Sequence, residues 1–368
     1  MNKLQNTRVK INEIDQKIAE LFEERMNCSK EVAEYKMEKA LPIYDASREQ
    51  EVINKNSKYI KNDEIREYYV DFLKHTMDLS KRYQARLTSG MKVAYSGVEG
   101  AFAHIACQKM FPSSTYIPYK DFLSAYNAVL NNEADTCVLP LENSYAGDVG
   151  VVMDLVFSGP LYVNQVQELE VVQNLVAKKG TKKEDIKKVI SHEQALNQCE
   201  EYITKHGFEM LESTNTALAA KTVAESSDKT IAAIASSDTA KLYNLEIIET
   251  NINSSHNNTT RFGAFSKAQN TDIKNSQMGE YTILVFTVKN EAGALAKTLN
   301  IIGSFGYNMR TLRSRPMKDL IWNYYFYVEV EGNITSENGQ DMLKALKVFC
   351  DKLKIVGTYS NNWGEKWN

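Results

Sequence analysis

Two basic side chains near the start of the chain have the type and spacing of an anion-binding site. Arg25 interrupts a largely apolar stripe at heptad spacing. The stripe consists of Ile11, Ile14, Ile18, Leu21, Cys28, Val32 and Tyr35. A cation in such a seam is destabilising unless it meets an anion. Lys36 follows Arg25 at a spacing that turns it only about 20° around an ideal helix, so both side chains predict a site for one acidic ligand.

A third basic residue, Arg8, is too far along the same helix to join this site. It lies roughly 100° around the helix from Arg25 and about 25 Å along it, so it can reach the ligand only from a partner chain. The helix predicted from about residue 4 to 40 would be about 50 Å long, more than a domain of ~90 residues covers alone. The stripe therefore predicts a dimer built on this helix. The alternative is that the three cations are solvated surface residues.

Two further helices, predicted at about 46–58 and 63–87, supply polar side chains that suit the same site. These residues are Asp45, Arg48, Glu49, Ser80 and Gln84. Ser80 and Gln84 have i,i+4 spacing and share one helix face. The whole set is rich in hydrogen-bond donors and contains no nucleophile. It suits a dianion whose reaction shifts charge without a covalent intermediate.

Small polar residues form a second group from Lys92 onward, where short apolar strands alternate with helices. That alternation predicts an α/β domain with a largely parallel sheet, in which ligands bind at the carboxyl ends of the strands. The polar clusters are Ser96-Gly97, Glu142 to Ser144, Ser191-His192, Ser213 to Thr216, Ser236-Ser237 and Thr259 to Arg261. They suit a small polyoxygenated anion. The alternative is that they are helix N-caps.

The last part of the chain has the pattern of a small α+β module. A polar stretch at 267–280 predicts a linker, and the following elements have the order β-α-β-β-α-β. This order is typical of split-βαβ modules that sense ligands or mediate packing.

Composition narrows the classes of function. A chain of 368 residues predicts two to three domains. The net charge of −3 argues against a general nucleic-acid binder. The longest apolar runs fall short of the ~18 residues of a membrane span, and the charged start of the chain predicts a cytoplasmic protein. Metal-ligand and nucleotide-loop spacings are missing from the sequence, so we expect no metal and no cofactor.

The N-terminal residues resemble the active-site pattern of the all-helical chorismate mutase family. The matching positions are Arg8, Arg25, Lys36, Asp45, Arg48, Glu49, Ser80 and Gln84. The resemblance implies that Arg25, and Arg8 of a second protomer, hold the two carboxylates of chorismate. It implies that Lys36 and Gln84 donate to the ether oxygen during the Claisen rearrangement. It also implies that Glu49 binds the ring hydroxyl, and that Arg48 and Ser80 complete substrate binding.

The central block resembles prephenate dehydratase. The matching segments are SGVEGAFAHIA at 96–106, YKDFLSAYNAVLNNEADTCVLPLENS at 119–144, SHEQALNQC at 191–199, ESTNTALAA at 212–220 and NTTRF at 258–262. The resemblance implies two α/β lobes with the site in the cleft between them. Thr260 would donate a proton to the leaving hydroxyl, with His192 as an alternative acid, and Arg261 would bind a carboxylate. The residues expected to shape the pocket are Asn143, Ser144, Ser191, Ser213 and Thr214.

The C-terminal module resembles the ACT regulatory domain. The matching positions are Gly293, Ala294, Leu295, Ser314, Arg315 and Pro316. The resemblance implies that they bind phenylalanine between protomers, which would make the enzyme feedback-inhibited. Arg313 stands where relatives usually carry an acid. The alternative is therefore a dimerisation module that has lost its ligand.

Together these resemblances imply a multidomain enzyme of the chorismate mutase/prephenate dehydratase family. We expect an all-α, three-helix mutase domain in an intertwined dimer at 1–90, a two-lobed α/β dehydratase domain at 91–268 and an α+β ACT domain at 278–368. The assembly would be a homodimer, or a homotetramer of two such dimers. Two alternatives stay open: a non-catalytic protein that binds or senses small molecules, and a dehydratase that acts on arogenate instead of prephenate.

Overall fold

In its described residues, the first of two compact units, Met1–Met91, is built of helices. The computed structural model describes residues 2–38, 46–254, 258–269, 280–317, 323–332 and 334–360 of the chain. The helices of this unit are α1 (Lys3–Glu38), α2 (Ala46–Asn56) and α3 (Asp63–Ser89), with a 3-10 turn at Ser57–Tyr59. Asn62 caps α3 by accepting a hydrogen bond from the backbone N–H of Glu64 at 3.0 Å. The helices predicted at 46–58 and 63–87 are confirmed within two residues at each end.

Helix α1 presents its heptad stripe outward in the single chain. Ile14 is 54% exposed and Leu21 is 63% exposed, whereas Ala33, which faces the inside of the unit, is fully buried. The large apolar side chains of α1 that lie in solvent are Leu4, Val9, Ile11, Ile14, Ile18, Leu21, Phe22, Val32 and Tyr35. An apolar stripe of this length is unusual on a monomer and typical of a protein interface.

The second unit, Lys92–Asn368, begins with a lobe built on a mixed sheet. Its first elements are β1 (Lys92–Ser96), α4 (Phe102–Met110), β2 (Thr115–Tyr119), α5 (Phe122–Leu130), β3 (Thr136–Asn143), β4 (Gly147–Asp148), α6 (Gly150–Ser158) and β5 (Tyr162–Glu170). Strands β2, β1 and β3 are parallel neighbours, and β4 folds back on the end of β3 as a hairpin.

A second lobe follows, with its own five-stranded sheet in the order β10-β6-β9-β7-β8. Its elements are β6 (Asn174–Ala177), a 3-10 turn at Lys183–Asp185, β7 (Lys188–Ser191), α7 (Glu193–Gln198), α8 (Glu200–His206), β8 (Glu209–Glu212), α9 (Thr216–Glu225), β9 (Ile231–Ala235), α10 (Ser237–Leu242) and β10 (Glu246–Glu249). The chain then returns to the first lobe as β11 (Thr259–Ser266), which lies between β3 and β5.

The prediction of a largely parallel sheet is wrong for both lobes. Only the β2-β1-β3 and β8-β7-β9 pairings are parallel. Strand β11 pairs antiparallel with both β3 and β5, and β6 pairs antiparallel with both β9 and β10. The reason is that β6 and β11 follow the two crossings of the chain between the lobes. Each of these strands enters its sheet from the end opposite to the one at which the parallel strands begin.

The last six elements form a four-stranded antiparallel sheet with two helices, in the predicted order β-α-β-β-α-β. They are β12 (Glu280–Val288), α11 (Ala294–Ser304), β13 (Asn308–Pro316), β14 (Tyr324–Glu331), α12 (Glu337–Phe349) and β15 (Cys350–Ser360). The strand order is β13-β14-β12-β15. Of the predicted linker at 267–280, residues 270–279 lie outside the described residues. We refer to residues 280–360 as the C-terminal module.

The C-terminal module packs directly on the first lobe of the same unit. Tyr325 and Tyr327 of β14 share a buried cluster with Met153 of α6. At Gly357 of β15, an added Cβ would lie 1.9 Å from the carbonyl oxygen of Val163 on β5. Only glycine allows this approach of the two backbones. Over the described residues, the chain has no helix that is long and apolar enough to cross a membrane.

Candidate functional sites

A cavity of about 360 Å³ in the helical unit brings together six of the residues singled out from the sequence. They are Arg25, Lys36, Arg48, Glu49, Ser80 and Gln84. Arg8 does not line this cavity, in agreement with its position along α1. Asp45 lies outside the described residues. We call this space the helical cavity.

Arg25 enters the helical cavity from α1 and meets α3 there. Its guanidinium donates to the hydroxyl of Ser80 and, at 3.3 Å, to the backbone carbonyl of Thr76. Within the described part of the chain, Arg25 has no carboxylate partner. Burial lowers the pKa of Arg25 below its ordinary value, which means that the site destabilises its charge. An anionic ligand would reverse that cost.

The other polar groups of the cavity come from α2 and α3. Glu49 forms an ion pair with Lys81 at 2.8 Å, a residue that the sequence reasoning missed. Gln84 is only 8% exposed, and its side-chain carbonyl has no hydrogen-bond partner among the residues that the structure describes. A buried polar atom without a partner is costly, so the Gln84 amide is a group that a polar ligand would satisfy.

A second cavity, of about 330 Å³, lies between the two lobes of the α/β unit. We call it the cleft cavity. Of the residues predicted for the dehydratase reaction, Asn143 at the end of β3 and Thr260 at the start of β11 line it, as does His192, the alternative acid. Asn215 and Thr216 contribute the beginning of α9, and Phe102 contributes the beginning of α4.

Asn143 holds the hydroxyl of Thr260 in a defined orientation. The Asn143 amide nitrogen donates to Oγ1 of Thr260 at 2.9 Å and to Oδ1 of Asn258 at 2.7 Å. The Asn143 amide oxygen accepts from the backbone N–H groups of Tyr145 at 3.0 Å and Ala146 at 2.8 Å, which fixes the turn that follows β3. Because Thr260 Oγ1 accepts from Asn143, its own proton is left to donate elsewhere.

Four residues predicted for this pocket do not line it: Ser144, Ser191, Ser213 and Thr214. Ser144 Oγ accepts from the backbone N–H of Thr259 at 2.9 Å. Ser191 is fully buried and donates to the carbonyl of Ile234 at 2.7 Å, a bond within the second lobe. Ser213 and Thr214 precede the α9 N-cap, and the next two residues, Asn215 and Thr216, reach the cavity instead.

Arg261 faces away from the cleft cavity, contrary to its predicted role in binding the substrate. Side chains alternate along a strand, so Thr260 and Phe262 line the cavity while Arg261 points to the opposite face of the sheet. There it pairs with Glu142 at 2.7 Å and Glu329 at 3.0 Å. Burial alone would lower the pKa of Arg261, but the neighbouring Tyr359 and Glu329 raise it well above the ordinary value. Its charge is therefore already satisfied inside the protein.

Among the described residues that line the cleft cavity there is no lysine or arginine. The positive ends of α4 and α9 open into it, and helix N-termini bind anions through their free N–H groups. His192 also lines it, and His192 Nδ1 accepts from the N–H of Gln194 at 3.2 Å. That bond leaves Nε2 as the protonated nitrogen of the neutral ring. His192 therefore stays a geometrically possible proton donor.

Gln173 is a lining residue that sequence reasoning missed. It is 2% exposed, and its side-chain carbonyl has no hydrogen-bond partner in the described structure. It lies between β5 and β6, where the chain crosses from one lobe to the other. Its sequence surroundings, Val172 and Asn174, contain no motif that would have pointed to it.

The residues predicted to bind an effector lie at two places in the C-terminal module. Gly293 caps α11 in the left-handed conformation with φ 80°, and Leu295 lines a small cavity of about 120 Å³ beside β14. Ala294 is the first residue of α11. Ser314 and Pro316 are exposed on β13, whereas Arg315 points toward the first lobe, with Nε 3.4 Å from Oδ1 of Asp154.

Comparisons with known proteins match the two parts of the chain that contain these cavities. The family model for chorismate mutase type II matches residues 7–85, and the model for prephenate dehydratase matches 93–270. The chain is 30% identical over 370 residues to the bifunctional chorismate mutase/prephenate dehydratase of Aquifex aeolicus (strain VF5), covering 98% of each chain.

Two solved structures resemble the α/β unit and the C-terminal module taken together. A structure of GqqA, described as a novel type of quorum-quenching acylase, has a TM-score of 0.67 at 30% identity, over 73% of this chain and 97% of that one. Prephenate dehydratase from Arthrobacter aurescens in complex with L-Phe has a TM-score of 0.66 at 23% identity, over 73% and 90%. The second likeness shows the fold alone.

Fold and cavities define a two-site enzyme, with a helical mutase domain followed by an α/β dehydratase domain. The chain belongs to the bifunctional chorismate mutase/prephenate dehydratase family. Neither a non-catalytic binding protein nor an arogenate-specific dehydratase is favoured by these matches.

Proposed function

We propose that the helical cavity rearranges chorismate to prephenate and that the cleft cavity converts prephenate to phenylpyruvate, two consecutive steps of phenylalanine biosynthesis. The observation that carries this proposal is that each cavity collects the polar groups that its own reaction needs.

In the helical cavity, Arg25 binds a carboxylate of chorismate through a guanidinium that has no carboxylate partner among the described residues. In the Claisen rearrangement the ether C–O bond breaks while a C–C bond forms, and negative charge develops on the ether oxygen. Lys36 and Gln84 donate to that oxygen and so stabilise the transition state more than the substrate. Glu49 accepts from the ring hydroxyl, and its pair with Lys81 orients it. Arg48 and Ser80 also line the helical cavity and complete substrate binding.

The mutase site is completed by a second copy of the chain. Arg8 of the second protomer supplies the remaining carboxylate contact, and the exposed stripe of α1 forms the interface. The support for this dimer is the length of the apolar stripe and the absence of Arg8 from the cavity of its own chain.

In the cleft cavity, Thr260 protonates the leaving ring hydroxyl. The carboxylate on the ring leaves as CO₂, its bonding electrons complete the aromatic ring, and the hydroxyl departs as water. Thr260 regains its proton from solvent. Asn143 orients Thr260, and the N-termini of α4 and α9 hold the substrate carboxylates.

The C-terminal module serves as an ACT regulatory domain that binds phenylalanine. Its element order and the positions of Gly293, Leu295 and Arg315 support this assignment, as does a relative of the same fold that binds L-Phe. Inhibition requires that phenylalanine bind one conformation of the enzyme better than another.

The test is turnover of chorismate by the intact protein, with and without phenylalanine. We expect chorismate absorbance to fall and phenylpyruvate to appear on addition of alkali, more slowly when phenylalanine is present. Binding of chorismate or prephenate without turnover would contradict the enzyme assignment. Turnover that phenylalanine leaves unchanged would contradict only the regulatory part.

A further inference from the structure

One arginine of the C-terminal module reaches the hairpin that ends at the dehydratase site. The guanidinium of Arg313, on β13, contacts the carboxylates of both Glu142 and Asp148. Glu142 and Asp148 lie opposite each other on the β3-β4 hairpin of the first lobe. Their side chains are 17% and 25% exposed, and that of Arg313 is 25% exposed, so the three charges are largely shielded from solvent.

The hairpin that Arg313 bridges also carries Asn143. Asn143 follows Glu142 on β3 and forms the next pair of the hairpin with Gly147. Its amide oxygen holds the turn, and its amide nitrogen holds the hydroxyl of Thr260 at 2.9 Å. A shift of the hairpin would therefore move the hydroxyl that faces the cleft cavity.

The other end of this network fixes the strand that carries Thr260. Glu142 also pairs with Arg261 of β11, directly after Thr260. Arg261 in turn contacts Glu329 of β14, which is fully buried, and donates to the hydroxyl of Tyr359 at 2.6 Å. The C-terminal module thus contacts both strands that carry the Asn143–Thr260 pair, on the face of the sheet opposite the cleft cavity.

We propose that Arg313 is a positioning residue for the dehydratase reaction: it fixes the β3-β4 hairpin, so that Asn143 keeps the hydroxyl of Thr260 aimed into the cleft cavity. Arg313 lines no part of that cavity. The inference rests on the proposed dehydratase function and adds to it a contribution from the C-terminal module. Glu142 keeps its pair with Arg261 when Arg313 is removed, so the change should displace the hairpin without unfolding the lobe.

The experiment compares Arg313→Met, Arg313→Lys and a control, Lys344→Met, in the full-length chain. Lys344 belongs to the same module, and its ion pair with Asp341 is exposed on one helix. For Arg313→Met we expect kcat for prephenate dehydration to fall about 10-fold or more with KM changed less than about threefold, because small misplacements of reacting groups act on the chemical step. Arg313→Lys should recover most of kcat. The control and all mutase rates should match the wild type.

A second variant separates positioning from a long-range effect of charge. Asp148→Asn removes a negative charge where Arg313→Met removes a positive one. If Arg313 positions the hairpin, both variants lower kcat, and the double variant is no worse than Arg313→Met alone because the two residues act through one contact. Opposite changes in kcat, or losses that multiply, would overturn the inference.

The remaining outcomes are equally decisive. Wild-type kcat in Arg313→Met would overturn the positioning role, as would a loss of the same size in Lys344→Met. If Arg313→Met fails to fold, Asp148→Asn with unchanged kcat still overturns it. A wild-type protein that does not dehydrate prephenate at all would contradict the proposed function instead.

Discussion

The helical cavity and the cleft cavity differ in the charge of the side chains that line them. Arg25, Lys36, Arg48 and Lys81 line the first, whereas none of the described residues that line the second is a lysine or arginine. In the rearrangement, negative charge moves onto an ether oxygen, so cationic donors inside the cavity lower the barrier. In the dehydration, loss of CO₂ produces an aromatic ring, so a well-placed proton and an oriented carboxylate suffice.

Arg25 and Arg261 show the same contrast in two residues of one type. Arg25 is bound to a hydroxyl and a backbone carbonyl, so its charge is available to a ligand. Arg261 is surrounded by Glu142, Glu168 and Glu329 and contributes to the packing of the C-terminal module. A buried arginine therefore indicates an anion site only when the protein itself leaves its charge unmatched.

The largest expected effect tests the cationic residues of the helical cavity. Arg25→Ala should lower kcat/KM for chorismate by about 1,000-fold, because it removes a charged contact inside the cavity. Dehydration of supplied prephenate should stay within about twofold of wild type, since Arg25 lies in the other unit. The measurement is steady-state kinetics on each substrate, with Lys30→Ala, an exposed position on the side of α1 away from the apolar stripe, as the control. A parallel loss of both activities would refute the separation of the sites.

Replacement of Thr260 tests the proton donor proposed for the cleft cavity. Thr260→Val keeps the shape and removes the proton donor, so kcat for dehydration should fall about 100-fold with the mutase rate unchanged. Thr260→Ser retains the hydroxyl and should keep most of the activity. Dehydration at the wild-type rate in Thr260→Val would exclude this residue as the acid, and His192→Asn would then be the next variant to assay.

Gln84 allows the charge of the helical cavity to be changed by pH. Gln84→Glu replaces an amide donor with a carboxylate, which repels the developing charge, so mutase activity should fall about 10- to 100-fold at neutral pH. Below the pKa of the new carboxyl group the protonated form donates again, so activity should rise as pH falls. A pH profile of kcat parallel to that of the wild type would argue against a contact between Gln84 and the ether oxygen.

The smallest effect concerns salt. Raising NaCl from about 0.05 to 0.5 M should increase KM for chorismate several-fold, because ions screen the attraction between a cationic cavity and a dianion. KM for prephenate, also a dianion, should change less than about twofold, because no lysine or arginine is among the described residues that line the cleft cavity and the partial charges of helix N-termini act only over about one turn. Equal salt dependence of the two KM values would remove the electrostatic distinction between the cavities.

Sequence reasoning placed the mutase residues well because a helix has a regular period. The spacing of Arg25 and Lys36, and that of Ser80 and Gln84, correctly placed each pair at one cavity. Lys81 was missed because it lies next to Ser80 and turns about 100° away on the same helix. It reaches the site only through its pair with Glu49 of α2, a contact between helices that spacing along one helix does not contain.

The cleft cavity was harder to predict because its residues lie at strand ends and in turns. Asn143 and Thr260 were placed correctly, but Ser213 and Thr214 were chosen where Asn215 and Thr216 line the cavity. The sequence does not define where the turn ends and α9 begins closely enough to decide between them. The position of Arg261 follows from the alternation of side chains along a strand, since a strand that directs Thr260 into the cavity directs Arg261 away from it.

The close approach at Gly357 restricts which residue can occupy this position between the C-terminal module and the first lobe. Val356 and Tyr359 of β15 share a buried cluster with Val163 and Val166 of β5, and this packing requires that position 357 carry no Cβ. A single methyl group at position 357 would clash with the backbone of β5 and push the two strands apart. Any side chain at position 357 would therefore weaken the packing of the C-terminal module on the first lobe, even where the ion pairs of Arg261 and Arg313 are kept.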